Sequence, residues 1–266
     1  MTSSYALALS EAEIARYVFM AGVARRLESD LWQRAGIVAG ARVADVGCGP
    51  GAMFLPLSEL VGPAGRIEAI DADPRAVAAA RALVDSAGLP NVAVTLGRAQ
   101  DTGLPAGEFD VVVLRHVLGH NASDEDAIVE HLATLLRPGG VLYLVDADAL
   151  GVRTVPHHPD LGELEERYRA MHRLRGNDGL SGLRLGDLIE RAGLELVDYQ
   201  GRYTIGRLPS GVRPPAWAAR EAMVQAGVAT PEELTRWDQA FAALDAASHR
   251  PRIFVPLLVA LGRRQD

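Results

Sequence analysis

From residue 43 to residue 145 the chain alternates short apolar runs with longer amphipathic ones, and no other feature restricts its fold as much. Residues 43–46, 67–71, 92–96, 110–114 and 141–145 are runs rich in Val, Ile, Leu and Ala, too short for helices, the pattern of buried strands. Between them residues 53–60, 74–87 and 124–136 place apolar side chains at helical spacing. Asp73 caps the second helix, with Pro74 at its first position and Gly88 at its end; Ser123 is expected to cap the third and Pro138-Gly139-Gly140 to stop it. Helices between strands supply the crossovers that parallel neighbours need. The expectation is therefore a mostly parallel sheet with helices on both faces.

Upstream, Ile14, Val18, Ala21, Leu27 and Leu31 recur at spacings that predict an amphipathic helix over 11–35, with Ser10 as its cap and Glu13 completing a capping box. Beyond residue 148 the alternation weakens. Residues 151–182, with a helical stretch at 161–174 and an irregular Gly176-Asn177-Asp178-Gly179 turn, read as a cover over the sheet. A helix at 183–192 ends at Gly193, and late strands are expected at 194–203 and 253–261. Residues 207–250, where Pro209, Pro214 and Pro215 precede helical stretches at 216–226 and 231–247, read as a helical insertion. These give a seven-stranded α/β sheet, in a single domain over 1–266 whose segments 151–182 and 207–250 shape a substrate pocket.

Composition narrows the partners. A net charge of −7 opposes nucleic acid, whose binding rests on neutralising phosphates. No apolar run approaches the roughly 20 residues that span a bilayer. Charges dispersed through residues 11–30 interrupt any secretory signal. Cys48 is the single cysteine, so neither an intramolecular disulfide nor a cysteine metal cluster can form. The expectation is a cytoplasmic protein acting on a small molecule, with no nucleic-acid or membrane partner. Richness in arginine and alanine points to a high-GC bacterium, and apolar surface on the insertion suggests a homodimer.

The turn after the first strand, Gly47-Cys48-Gly49-Pro50-Gly51, lets the backbone bend tightly and approach a ligand without Cβ obstruction. Asp71 ends the next strand, where a carboxylate can accept both hydroxyl hydrogens of an adenosine ribose. These residues specify an adenosine-type ligand without choosing it, because Gly47, Gly49 and Ala52 also satisfy a dinucleotide pattern.

Residues 43–51 resemble the first motif of the class I S-adenosylmethionine (SAM)-dependent methyltransferases, in which an acid, here Asp45, precedes the first glycine by two. Ala69-Ile70-Asp71, Leu104-Pro105-Ala106-Gly107-Glu108-Phe109-Asp110 and Leu136-Arg137-Pro138-Gly139-Gly140 match later family motifs in order, within a resemblance over roughly 10–205 plus the final strand. It implies a Rossmann-like fold binding SAM. Asp45, Gly47, Cys48, Gly49 and Gly51 would line the methionine part, Asp71 the ribose and Ala72 the adenine. Where many relatives carry Gly-Asp-Ala, this chain has Gly97-Arg98-Ala99-Gln100-Asp101, which moves the remaining adenine contacts to Ala99 and Gln100. Arg115 follows the fourth strand beside the methionine.

His116 and His120 lie where the family places the methyl-transfer axis, and a pKa near neutrality would suit either as a base. At i, i+4 on a helix they could share a metal, but a third ligand at clear spacing is missing and no metal is expected. His157, His158 and His172, with Tyr5, Tyr17 and Tyr168, could close over the cofactor, and residues 213–217 could shape the pocket around Trp217. The implied activity is methyl transfer to O, N or C of a small, specialised metabolite. The alternatives are an NAD-dependent oxidoreductase, or a SAM-fold scaffold or cyclase that transfers no methyl.

Overall fold

The computed structural model describes residues 11–266; Ser10 and Tyr5 lie outside them. The first half runs α1 (Glu11–Ala35), β1 (Arg42–Val46), α2 (Phe54–Val61), β2 (Arg66–Asp71), α3 (Pro74–Ala87), β3 (Val92–Leu96), β4 (Phe109–Arg115), α4 (Glu125–Leu135) and β5 (Leu136–Ala147). There follow β6 (Arg153–Val155), α5 (Pro159–Leu174), α6 (Leu185–Arg191), β7 (Glu195–Gly206), α7 (Pro215–Ala218), α8 (Arg220–Gln225), α9 (Pro231–Ala246) and β8 (Arg252–Arg263).

Strands β3, β2, β1, β4 and β5 are parallel neighbours in that order. β8 then runs antiparallel to β5, to β6 and to β7. The described residues thus form eight strands where the sequence predicts seven. The addition, β6, is three residues long and pairs with 252–254 of β8, beyond the stretch taken by β5. So short a strand leaves no periodicity to read.

Two helix boundaries differ from expectation. Ser123 sits in a 3-10 turn (Ala122–Asp124) and does not cap α4; Asp124 holds the cap position, and its carboxylate accepts from Gln100 instead of the helix. Pro138, Gly139 and Gly140 do not stop a helix, since α4 ends at Leu135. They occupy a register shift inside β5 between the pairs Phe109↔Leu136 and Val111↔Val141, where a proline without an N–H is tolerated. The helix predicted at 216–226 divides at Ala219 into α7 and α8.

Side chains alternate across the strands and build two layers. Val43, Val111, Val113, Val141, Tyr143 and Val145 join Leu31, Trp32, Phe54 and Ala80 on the face covered by α1, α2 and α3. Ala44, Val46, Val112, Leu114, Leu142 and Leu144 meet Ile128, Leu132, Leu188 and Ile189 of α4 and α6 on the other. A third cluster joins Leu161, Leu164 and Met171 of α5 to Ala216, Met223, Trp237 and Phe241 of the insertion. The insertion therefore buries Ala216, Met223, Trp237 and Phe241 within the chain. No helix among the described residues is long and apolar enough to cross a membrane.

Candidate active site

The carboxyl ends of β1, β2, β4 and β5 share one edge of the sheet, the position where open α/β sheets bind ligands. After β1, Gly47, Gly49 and Gly51 have φ of 72°, 56° and 87°, the left-handed region open to glycine. The N–H groups of Gly47 and Cys48 donate to Ile70 O at 2.7 and 3.0 Å, tying the turn to β2. Asp71 completes the tie: Oδ2 accepts from Gly49 N–H and Oδ1 from Asp73 N–H, both at 2.8 Å. Burial raises its pKa while these N–H groups oppose the shift. Each carboxylate oxygen keeps a second lone pair for a ligand hydroxyl. A Cβ on Gly47 would collide with Val117, and one on Gly49 would stand 3.5 Å from the Tyr17 ring, so α1 lies over the turn. Gly51 serves packing, since a Cβ there would come within 2.6 Å of Phe54. Cys48 is buried, and burial followed by the charges of Asp45 and Asp71 raises its thiol pKa.

Ala72 is exposed beside Asp71. Ala99 packs against the α4/α6 layer, and Gln100 Nε2–H donates to Asp124 at 2.8 Å, so the loop after β3 is fastened to the start of α4.

Asp45 and Arg115 share the face covered by α1. Asp45 is 3% exposed with Oδ2 unpartnered, and burial pushes its pKa up to about 7. The Arg115 side chain lies under α1: Nη2 donates to Glu28 Oε1 at 2.5 Å, and Glu28 Oε2 accepts from the Tyr143 hydroxyl at 2.8 Å, while Nη1 meets Met53 Sδ at 3.9 Å. Burial disfavours its charge, yet Glu28, Tyr143 and Asp45 outweigh that and raise its pKa. Arg115 thus anchors α1, a role its place at the end of β4 did not announce.

His116 and His120 do not share a helix. His116 has φ 57°, outside helical backbone, and its N–H donates to Val145 O at 2.8 Å; a 3-10 turn (Leu118–His120) carries His120. Neither has a near-neutral pKa. Burial, then Arg115, Arg16 and His120, lowers that of His116 well below the usual range, and burial, then His172, Arg16 and Arg175, lowers that of His120 to about 3. Asp146, at the end of β5, holds this turn by accepting from Gly119 N–H at 2.9 Å.

Over these histidines lies α5, whose Glu165, Tyr168 and His172 follow one another at i, i+3 and i+7 and share a face. The His172 ring stands 5.1 Å from His120 and edge-on to Tyr168 at 4.4 Å. His157 and His158 lie elsewhere, at the start of α5 near Gly162 and Asp160. Trp217 is held by Arg220, 3.6 Å above its ring, and by an Nε1–H bond to Asp238, as part of the insertion. Sequence reading missed Asp146 and Asn177; the only available hint for the latter was the irregular 176–179 turn.

A glycine turn and an acid meeting at the carboxyl edge of a parallel sheet are the arrangement by which open α/β sheets receive nucleoside-type ligands. The unpartnered Asp45 Oδ2 and His116 Nε2 at the same edge fit a ligand with polar groups. Residues 43–140 match a family described as a methyltransferase domain. The chain is 39% identical over 122 residues to a nocamycin O-methyltransferase from Saccharothrix syringae, aligning 46% of this chain with 42% of that protein. It is 32% identical over 168 residues to a ubiquinone biosynthesis O-methyltransferase from Xanthomonas axonopodis, aligning 61% of this chain with 66% of that one. The chain thus spans less than two thirds of the length of either relative. A crystal structure of a SAM-dependent methyltransferase from Aquifex aeolicus shares the fold, with a TM-score of 0.53 at 22% identity over 70% of this chain and 90% of that one. Residues 43–140 thus carry a methyltransferase domain within the fold of the class I SAM-dependent enzymes, a match that favours SAM over the nicotinamide ligand that Gly47, Gly49 and Ala52 alone allowed.

Proposed function

We propose that this chain transfers a methyl group from SAM to an oxygen of a small metabolite, in a chamber bounded by the turn after β1, the His116–His120 segment and α5. The observation that carries the reading is the Asp71 carboxylate, fixed by Gly49 and Asp73 beside the glycine turn with lone pairs remaining for a ribose diol. SAM, when bound, supplies a methyl group activated by its sulfonium. The chain's task is alignment, and holding reactants in near-attack geometry contributes roughly 7–11 kcal/mol to lowering a barrier. Gly47 and Gly49 would carry the methionine part by backbone, and Ala72, Ala99 and Gln100 would flank the adenine.

With the methyl donor bound, a ring nitrogen of His120 would take the proton that the acceptor hydroxyl gives up as its oxygen gains the methyl group. Burial keeps that imidazole neutral. The relatives' printed names, among them two O-methyltransferases, favour oxygen over nitrogen or carbon as acceptor. Segments 151–182 and 207–250 form the cover, within one domain. The single cysteine and the acidic charge favour a cytoplasmic enzyme that does not bind nucleic acid.

Calorimetric titration with SAM, S-adenosylhomocysteine and NAD, alongside Asp71→Ala, tests the reading. Micromolar binding of the first two, lost in the variant, is expected. Binding of NAD alone would overturn it.

A further inference from the structure

Beneath α5 the fold sets the direction of a side-chain hydrogen-bond donor. Asn177 is 5% exposed, and its Oδ1 accepts from Ala122 N–H at 3.1 Å, which orients the amide. Its Nδ2 therefore faces His172 Nδ1 at 3.2 Å. An amide N–H meets a ring nitrogen only through a lone pair, so Nδ1 is the acceptor and the proton of the neutral imidazole sits on Nε2. Asn177 N–H also donates to His172 O at 2.9 Å, fixing helix end and turn together. His172 is 9% exposed, and its Nε2 has no partner among the described residues. A buried N–H with no acceptor is costly to a fold and marks a place where a ligand supplies the missing atom.

We propose that His172 determines acceptor specificity: its Nε2–H donates to a carbonyl or carboxylate oxygen adjacent to the oxygen that is methylated at His120. This rests on the methyltransferase reading and deepens it, naming the acceptor class as enols, phenols or acids conjugated to a second oxygen. The 5.1 Å between the two rings places the donor and the base within reach of neighbouring oxygens of one molecule. The chemistry of the base agrees. Burial holds His120 at low proton affinity, and such a base takes protons only from acidic hydroxyls, which conjugation to a carbonyl provides.

The test titrates two probes by calorimetry into protein saturated with S-adenosylhomocysteine: 2-hydroxy-1,4-naphthoquinone, whose hydroxyl flanks a carbonyl, and 2-naphthol, which lacks the carbonyl. The quinone is expected to bind about tenfold tighter, as one hydrogen bond warrants. His172→Phe should abolish that preference, and His172→Gln, which keeps an N–H, should restore part of it, both with unchanged S-adenosylhomocysteine affinity. Nitrogen NMR of the histidine rings in ligand-free protein should show the Nε2-protonated tautomer at His172, lost in Asn177→Leu. Equal binding of the probes, binding of neither, a preference that survives His172→Phe, or an Nδ1-protonated ring overturns the inference while leaving the reading standing. Failure of S-adenosylhomocysteine to bind overturns the reading itself.

Discussion

Replacing Glu28 with leucine tests how α1 is held over the site. Glu28 is 1% exposed and serves Arg115 and Tyr143 through its two oxygens. The substitution leaves a guanidinium that is 9% exposed without its carboxylate, and a buried phenol without an acceptor. Breaking a buried ion pair from one side costs about 3–5 kcal/mol, and the phenol adds about 1 kcal/mol. Asp45, with an unpartnered oxygen on the same face, takes up part of the charge, so a loss of about 3 kcal/mol is expected. At about 2–4 °C per kcal/mol for a chain of this size, Tm should fall by about 6–12 °C. Scanning calorimetry and urea titration at pH 7 measure both. The exposed Arg25–Glu59 pair, at 58% and 62% exposure, supplies the control: Arg25→Ala should cost under about 1 kcal/mol. The double variant Glu28→Leu/Arg115→Met removes both charges and should recover most of the loss. A single-variant loss below about 1 kcal/mol, or a double variant no more stable than the single, refutes the assignment.

Other expectations follow from the same structure. Trp237 is 1% exposed in the cluster joining α5 to the insertion; Trp237→Ala should destabilise that cover by about 3–5 kcal/mol, seen as faster hydrogen exchange in 159–174 and 215–246 with β1–β5 protection retained. Gly51→Ala, forced to φ 87° against Phe54, should cost about 1–3 kcal/mol in urea unfolding. His120 and His172, lowered by burial to about 3 and about 4, favour the neutral ring in the fold; their stabilisation is complete above about pH 6.5 and is lost as pH falls toward 4. His172→Phe should flatten that acid limb by about one proton per molecule. Asp45 has the opposite sign: its carboxyl, raised to about 7, loses stabilisation as pH rises from about 4 to 7, so the advantage of Asp45→Asn over the parent should grow across that range.

What could be read in advance was what local chemistry dictates. The 43–145 alternation gave the parallel strands nearly residue by residue, because buried strands and capped helices leave short-range patterns, and the glycine turn and Asp71 were legible as neighbours, which the structure joins through Gly49 N–H. The acceptor side was different. That Arg115 would be spent on Glu28, 87 positions away, and that His172 would be aimed by Asn177 and stand against His120, depends on how α1 and α5 dock. The near-neutral pKa expected for His116 and His120 failed for the same reason, since burial is a property of the assembled fold. The helix expected to carry both ended where His116 turned left-handed after β4.

One strand, β8, is shared by β5, β6 and β7, and this orders the birth of the protein. During synthesis the parallel half and its glycine turn can assemble as soon as β5 appears. β7 must then wait while residues 207–251 are made, roughly 2–9 s at ribosomal rates of about 5–20 residues per second. Through that interval its apolar Val197, Tyr199, Tyr203 and Ile205 stand without the neighbouring strand, and a chaperone that shields strand edges has its natural window there.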